Sequence, residues 1–327
     1  MTIRRAVLIL TTMLLTILSL AAPAQTTAPK ARYDRETVIV TGQRPPTTPD
    51  AIAHDVIRSV AAPSLLLGTI ARWQDGLCPR TDGLSSRTLN NYVTRRIREI
   101  AAEAGAPLKD EPCKSNVEVM FTDDPQAVLD TVRKLNPDIL GYHAATTVSH
   151  PIQAWYETGT TDVRGQLVVD REVMGTIEYT NGGPTINPKT GAAEGFVSTF
   201  GIPMANIQGW KGRPEVSSDI LGVFIIADSR QTGSHQLGPI ADYVAMLALS
   251  RTDAYDACQI VPSIVNLMAP HCADTLKPAA IVASDIAYLR GVYKMDPGAS
   301  LQIQQDQIAG EMVKGIPAIT APAAGPP

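Results

Sequence analysis

The chain has 327 residues and a formal net charge of −4 at pH 7, from 28 Lys and Arg against 32 Asp and Glu. Nucleic-acid affinity is mostly electrostatic, so an acidic chain with scattered bases is a poor phosphate-binding surface, and nucleic acid is excluded as a partner. Thr94 to Arg98 (TRRIR) is the one local basic cluster, and it has the spacing of a solvated helix face.

The N-terminus reads as a signal peptide over residues 1–24. Arg4 and Arg5 precede an apolar run from Ala6 to Leu20, and Ala22-Pro23-Ala24 fits a small-residue cleavage site. The mature chain is then expected in the periplasm or secreted. No cysteine follows the apolar run to take a lipid, and no later segment reaches the length of a membrane span. Cys78, Cys113, Cys258 and Cys272 form an even set in an exported chain, which reads as two disulfides with three connectivities open. Nearness in sequence favours Cys78–Cys113 with Cys258–Cys272. Their spacing lacks the close CxxC pairs of a four-cysteine zinc site or a redox centre.

Residues 25–67 are rich in Thr, Pro and charge and read as an N-terminal segment outside the domain. Within it, Glu36 to Arg44 (ETVIVTGQR) carries a β-favouring core that either docks on the domain or offers a partner an added strand. Residues 68–316 hold one domain of ordinary size. Leu89 to Ala104 is an amphipathic helix with Tyr92, Ile97 and Ile100 inward, stopped by Gly105. Asn116 to Phe121 alternates as a strand. Asp123-Asp124-Pro125 then opens a helix, because an acidic cap and a proline suit its first turn. Ile152 to Glu157 and Gln166 to Val169 are strands, and Asn181 to Glu194 is a Gly/Asn/Pro loop. Ile220 to Ala227 (ILGVFIIA) is the most apolar strand and should be central. Gly238 to Arg251 (GPIADYVAMLALSR) is a helix apolar nearly all round, with Asp242 attributed to its start. Helices follow over Ala283 to Tyr293 and Ala299 to Lys314, and residues 317–327 read as a disordered tail. Strands gathered in the middle with helices at both ends give an α+β class, with a small mixed or antiparallel sheet flanked by helices.

No complete catalytic motif emerges. His54, His143, His150, His235 and His271 make no HExxH or HxH spacing. Ser229 and Ser234 sit in no GxSxG elbow or SxxK helix, and no glycine-rich loop precedes a helix as a phosphate cradle would. No motif calls for a cofactor or a metal. Among the carboxylates Asp75, Asp123, Asp124, Asp170, Asp228 and Asp242, the pair Asp228 and Asp242 is the candidate for a shared cleft. Acids also favour turns and helix starts, which is the simpler account of both. His143 and His150, seven apart in a loop before a strand, could each reach a cleft but read first as ordinary loop histidines. Tyr142, Trp155, Tyr156, Trp210 and Phe224 are core or binding-wall aromatics. Adjacent strand residues face opposite ways, so Trp155 and Tyr156 cannot line one cleft.

The TVIVT stretch resembles the short box near the mature N-terminus of TonB-dependent outer-membrane receptors, although this chain is far too short for their barrel. Across the domain, W73QDGLCP79, N116VEVMFTDDPQAVLD130, L140GYH143, P151IQAWY156, A241DYVAMLALS250, C258QIVPSI264 and D285IAYLRGVYKMDPG298 resemble a set of uncharacterised exported proteins of alphaproteobacteria. More distantly, the order of elements resembles secreted zincin-like metallopeptidase domains, in which a hydrophobic strand leads into a helix carrying HExxH. On that resemblance Ala241 and Ala245 stand where the two histidines would be, and Asp242 where the glutamate would be. Alanine offers zinc no lone pair, so the resemblance implies a zincin-like scaffold without its metal. The resulting expectation is a non-catalytic binding or envelope-associated accessory protein. The alternative is a hydrolase of envelope peptide or glycan using clustered carboxylates and His143.

Overall fold

The computed structural model describes residues 48–64, 67–143, 145–162, 167–169, 185–186, 193–194, 216–252 and 256–315. The segment read as a signal peptide, the TVIVT stretch, Asp170, Trp210 and the segment read as a tail lie outside them. They form a single α+β domain. Its five-stranded sheet has the order β1-β2-β7-β3-β4, with β1 Pro79–Asp82, β2 Val117–Thr122, β3 Ile152–Asp162, β4 Leu167–Val169 and β7 Val216–Asp228. The pairs β1/β2 and β2/β7 are parallel and β3 runs antiparallel to both its neighbours, so the sheet is mixed. The apolar strand β7 is central, as its composition requires. Two short strands, Thr185–Ile186 (β5) and Ala193–Glu194 (β6), pair within the segment read as a loop.

The N-terminal boundary differs from the sequence reading. Pro49–Val60 forms helix α1, capped by the Thr48 hydroxyl, and it buries Ile52, Ala53, Val56, Ile57 and Val60. The segment read as an external linker therefore contributes a core helix. Its Pro and Thr obscure this, because both belong to the helix entry and the apolar stripe follows them. Arg87–Ala104 (α2), Leu237–Leu249 (α5), Ala283–Lys294 (α6) and Leu301–Gly315 (α7) join it on one sheet face over Val117, Val119, Phe121, Ile152, Ala154, Tyr156, Ile225 and Ala227. In α2 it is Val93, not Tyr92, that is fully inward with Ile97 and Ile100. On the other face Leu129 of α3 (Pro125–Leu135) and Leu140 of a 3₁₀ turn (Pro137–His143) cover Trp155, Phe224 and Ile226. Trp155 and Tyr156 thus enter opposite cores, as strand alternation demands.

A bulge in β7 keeps its apolar residues inward. Glu157 pairs with Gly222 and Thr158 with Ile220, which leaves Leu221 unopposed. Ile220 and Val223, three residues apart, then face the same core. Gly141 makes a close approach elsewhere: its φ is +53°, and a Cβ there would lie 1.9 Å from the Tyr156 carbonyl oxygen. Gly141→Ala should cost about 2–4 kcal/mol through backbone strain and displacement of β3, read as a lowered urea midpoint.

The buried C-terminus of α5 explains why three aromatic residues carry polar tips into the core. A helix leaves its last four carbonyls without intrahelical partners. Here Trp73 Nε1 donates to Ala248 O (2.8 Å) and the Tyr293 hydroxyl to Leu249 O (2.6 Å). The Tyr156 hydroxyl lies within reach of Leu247 O (2.9 Å) and Ser250 O (3.2 Å). Ser250 N–H and Oγ return to Met246 O at 3.1 and 3.2 Å. Tyr156→Phe should cost roughly 1–3 kcal/mol, the penalty of a buried carbonyl left unpaired, with little change in the denaturant slope.

Candidate functional site

Helix α5 was the first candidate because of its single acid. Leu237 is the first residue of α5, which puts Asp242 in the second turn, and its oxygens do not cap its own helix. The Asp242 carboxylate accepts from Arg96 Nε at 2.5 Å, Arg96 Nη2 at 3.4 Å and Ile281 N–H at 2.7 Å, and the residue is only 2% exposed. The helix-start explanation is thereby corrected: the acid ties α5 to α2 and to the segment entering α6. It forms part of the wall of a cavity of about 280 Å³ lined by Tyr92, Arg95, Arg96, Glu99, Gly238 and Ala280. Ala241 and Ala245 are fully buried in the main core.

Asp285 is the corresponding anchor of α6. It sits at the third helical position, and its carboxylate accepts from Ser263 Oγ (2.5 Å), Ile264 N–H (2.9 Å) and Val282 N–H (3.2 Å). Burial pushes its pKa up to about 6, against the pull of these donors, and Asp242 adds to the rise. Asp219 forms a second buried polar centre at the start of β7. Gln74 Nε2 donates to its carboxylate and to Ser217 Oγ (2.7 Å), while Thr161 and Ser217 hydroxyls lie 3.1 Å apart. Burial pushes Asp219 up to about 6 as well, opposed by the Thr161 and Gln74 hydrogen bonds and by Arg72. Arg72 extends the sheet here, since its N–H reaches Ser218 O and its carbonyl accepts from Ile220 N–H. Its Nη1 also meets the carbonyls of Tyr293 (2.7 Å) and Met295 (3.1 Å) at the end of α6.

These two acids set a pH dependence. Each has a folded pKa above its unfolded value, so between about pH 4 and 6 the unfolded chain releases protons that the folded chain keeps. Their contribution is fully present below the unfolded pKa and is lost as pH rises through about 6. For Asp285 the loss should approach 3 kcal/mol, at roughly 1.4 kcal/mol per pKa unit. Urea midpoints followed from pH 4 to 7 should show the decline, and Asp285→Asn should flatten it.

Asp228 is placed differently again. It ends β7 and caps a short helix, Ser229–Thr232 (α4), accepting from Arg230 N–H (2.9 Å) and Gln231 Nε2 (2.9 Å). Burial would raise its pKa, but the Gln231 and Arg230 hydrogen bonds and the Arg230 charge hold it below the usual range. Asp228 and Asp242 thus have separate partners, and the side chain of His143 lies outside what the structure describes. Among the described residues, no three His, Cys, Asp or Glu side chains group closely enough to hold a metal ion.

His150 has the more informative surroundings of the two loop histidines. Its Nδ1 lies 2.9 Å from Ser149 Oγ, and its Nε2 lies 3.1 Å from Asp256 Oδ2. The loop before β3 is held by side chains on both sides. Gln126 Oε1 accepts from Val148 N–H (3.0 Å), Arg133 Nη2 donates to Thr146 O (2.6 Å) and Trp155 Nε1 to Thr146 Oγ1 (3.0 Å). Gln153 Oε1 takes Ser149 N–H at 2.9 Å, and Asp228 N–H donates to Pro151 O at 2.8 Å. No sequence motif singles out Ser149 or Asp256, and Asp256 is 106 residues from His150. His54, set aside as a linker residue, lies on α1 and joins it to α7 through Asp306 Oδ1 at 3.1 Å.

Both disulfides have the connectivity favoured by sequence, Cys78–Cys113 and Cys258–Cys272. Among the described residues no helix is long and apolar enough to cross a membrane. No protein-family model, curated protein or solved structure matches the chain.

Proposed function

We propose that the chain is an exported, periplasmic or secreted binding or envelope-associated accessory protein, built on a zincin-like scaffold in which helix α5 is structural. The observation that carries this reading is the engagement of Asp242. Its carboxylate is held by Arg96 and the Ile281 amide, and the two alanines where the resemblance would put histidines are packed in the core. A general base for metal-activated water needs a free carboxylate edge facing an open coordination site, and Asp242 is turned instead toward a guanidinium. Two disulfides support an oxidising compartment, where such bridges form and persist. Kinship with the exported alphaproteobacterial set and docking of a TonB-like partner by residues 36–44 belong to the same proposal.

Metal content and peptidase assays on purified chain test it directly. The expected result is no stoichiometric zinc and no zinc-dependent cleavage; finding both would sink the reading. Pull-downs with residues 36–44 deleted test the docking part, and unchanged capture would remove it. The hydrolase alternative through clustered carboxylates loses its support, because Asp228 and Asp242 serve different elements.

A further inference from the structure

We propose that Ser149, His150 and Asp256 form a nucleophile–base–carboxylate relay that hydrolyses accessible carboxylic esters. The inference goes beyond the accessory reading and uses none of the residues that carry it. Three observations support it. The first is the pair of hydrogen bonds, Ser149 Oγ to His150 Nδ1 at 2.9 Å and His150 Nε2 to Asp256 Oδ2 at 3.1 Å. A carboxylate accepts only, so Asp256 selects the tautomer with hydrogen on Nε2. Nδ1 then presents its lone pair to the serine hydroxyl. The ring is used in the reverse sense from the familiar serine hydrolases, but the roles are the same.

The second observation is rigidity. Gln126, Arg133, Gln153 and Trp155 hold the loop from Thr146 to Ser149, so the pair is fixed by packed elements. The third is place. Ile152 of β3 pairs with Ala227 of β7, which sets this loop beside the carboxyl end of β7, at the strand-end edge of the sheet and not within a packed face. Ser149 is exposed and His150 half-buried, so an acyl group on a larger ligand can reach the hydroxyl.

Ser149 Oγ attacks the ester carbonyl as its proton passes to Nδ1. The bond to the alcohol breaks, and the alcohol leaves with that proton. Water then attacks the acyl-serine, giving its proton to Nδ1. The acid departs, and the serine oxygen recovers the proton. An alcohol leaves more readily than an amine, which makes an ester the substrate class.

The test treats the purified full chain with a fluorophosphonate probe, maps adducts by mass spectrometry and follows 4-nitrophenyl acetate hydrolysis in parallel. An adduct on Ser149 is expected, absent in Ser149→Ala. His150→Ala should slow both readouts by roughly 10²-fold, the low end for a positioned base. The Asp256 side chain is 69% exposed, so Asp256→Asn should cost only about 2–5-fold. Near-unchanged melting curves would show that the variants still fold. No adduct at Ser149 from a probe that labels a control serine hydrolase would overturn the proposal, as would equal labelling of the His150→Ala chain.

Discussion

Asp242→Ala is expected to lower the folding free energy by about 3 kcal/mol, toward the lower end of what breaking a buried ion pair costs. The substitution removes the buried partner of the Arg96 guanidinium, which keeps only the half-exposed Glu99 (Nη1 to Oε2 3.3 Å), and leaves the Ile281 amide without that acceptor. The Arg96 side chain is 28% exposed, so water recovers part of the loss and keeps the figure from reaching the upper range. Asp242→Asn keeps one acceptor and should fall between. Arg96→Ala provides the complement: if the two single losses combine to less than their sum in the double variant, the pair is one interaction. Urea melts of the four chains decide it. An Asp242→Ala midpoint equal to the parent would mean that the acid is not an anchor, which would reopen a chemical role for helix α5.

Loss of the disulfides should be larger still. Cys78–Cys113 closes a loop of 35 residues and Cys258–Cys272 one of 14. On the chain-entropy account these contribute roughly 4 and 3 kcal/mol. Together they are comparable with the whole stability of many domains, about 5–15 kcal/mol. Reduction in mild denaturant should therefore unfold the chain, with the Cys78→Ser/Cys113→Ser variant falling before the Cys258→Ser/Cys272→Ser variant. The first bridge also adjoins the sheet, since Asn116 Oδ1 accepts from Cys78 N–H (2.7 Å) and Cys78 O receives the Asn116 amide. The second lies in the segment between α5 and α6 that presents Ser263 and Ile264 to Asp285. Thermal melts with and without reductant measure both, and a reversed order would show that strain or residual structure outweighs loop length.

Which features were legible in the sequence follows the reach of the forces involved. The stripe of α2, the Asp124-Pro125 start of α3 and the apolar run of β7 are local patterns, and they appear where the periodicity puts them. The α1 helix was missed because its Thr and Pro resemble linker composition, although its apolar spacing was present. The four-residue strand β1 was missed because Pro79-Arg-Thr-Asp82 has little strand propensity, and pairing with β2 makes it a strand.

The candidate site was less legible still. Residue type alone singled out Asp228, Asp242 and His143, but type cannot say what faces a carboxylate. Composition, cysteine count and apolar periodicity by themselves determined an acidic chain, an even cysteine set that favours two bridges between near cysteines, an α+β class and a central strand β7. Those properties arise within a few residues or from the chain as a whole. Only the tertiary structure decided that Asp242 faces Arg96, that Asp219 and Asp285 are buried among donors, and that His150 stands between Ser149 and Asp256. Each of these depends on contacts between groups far apart in the chain, whose distances are set by packing.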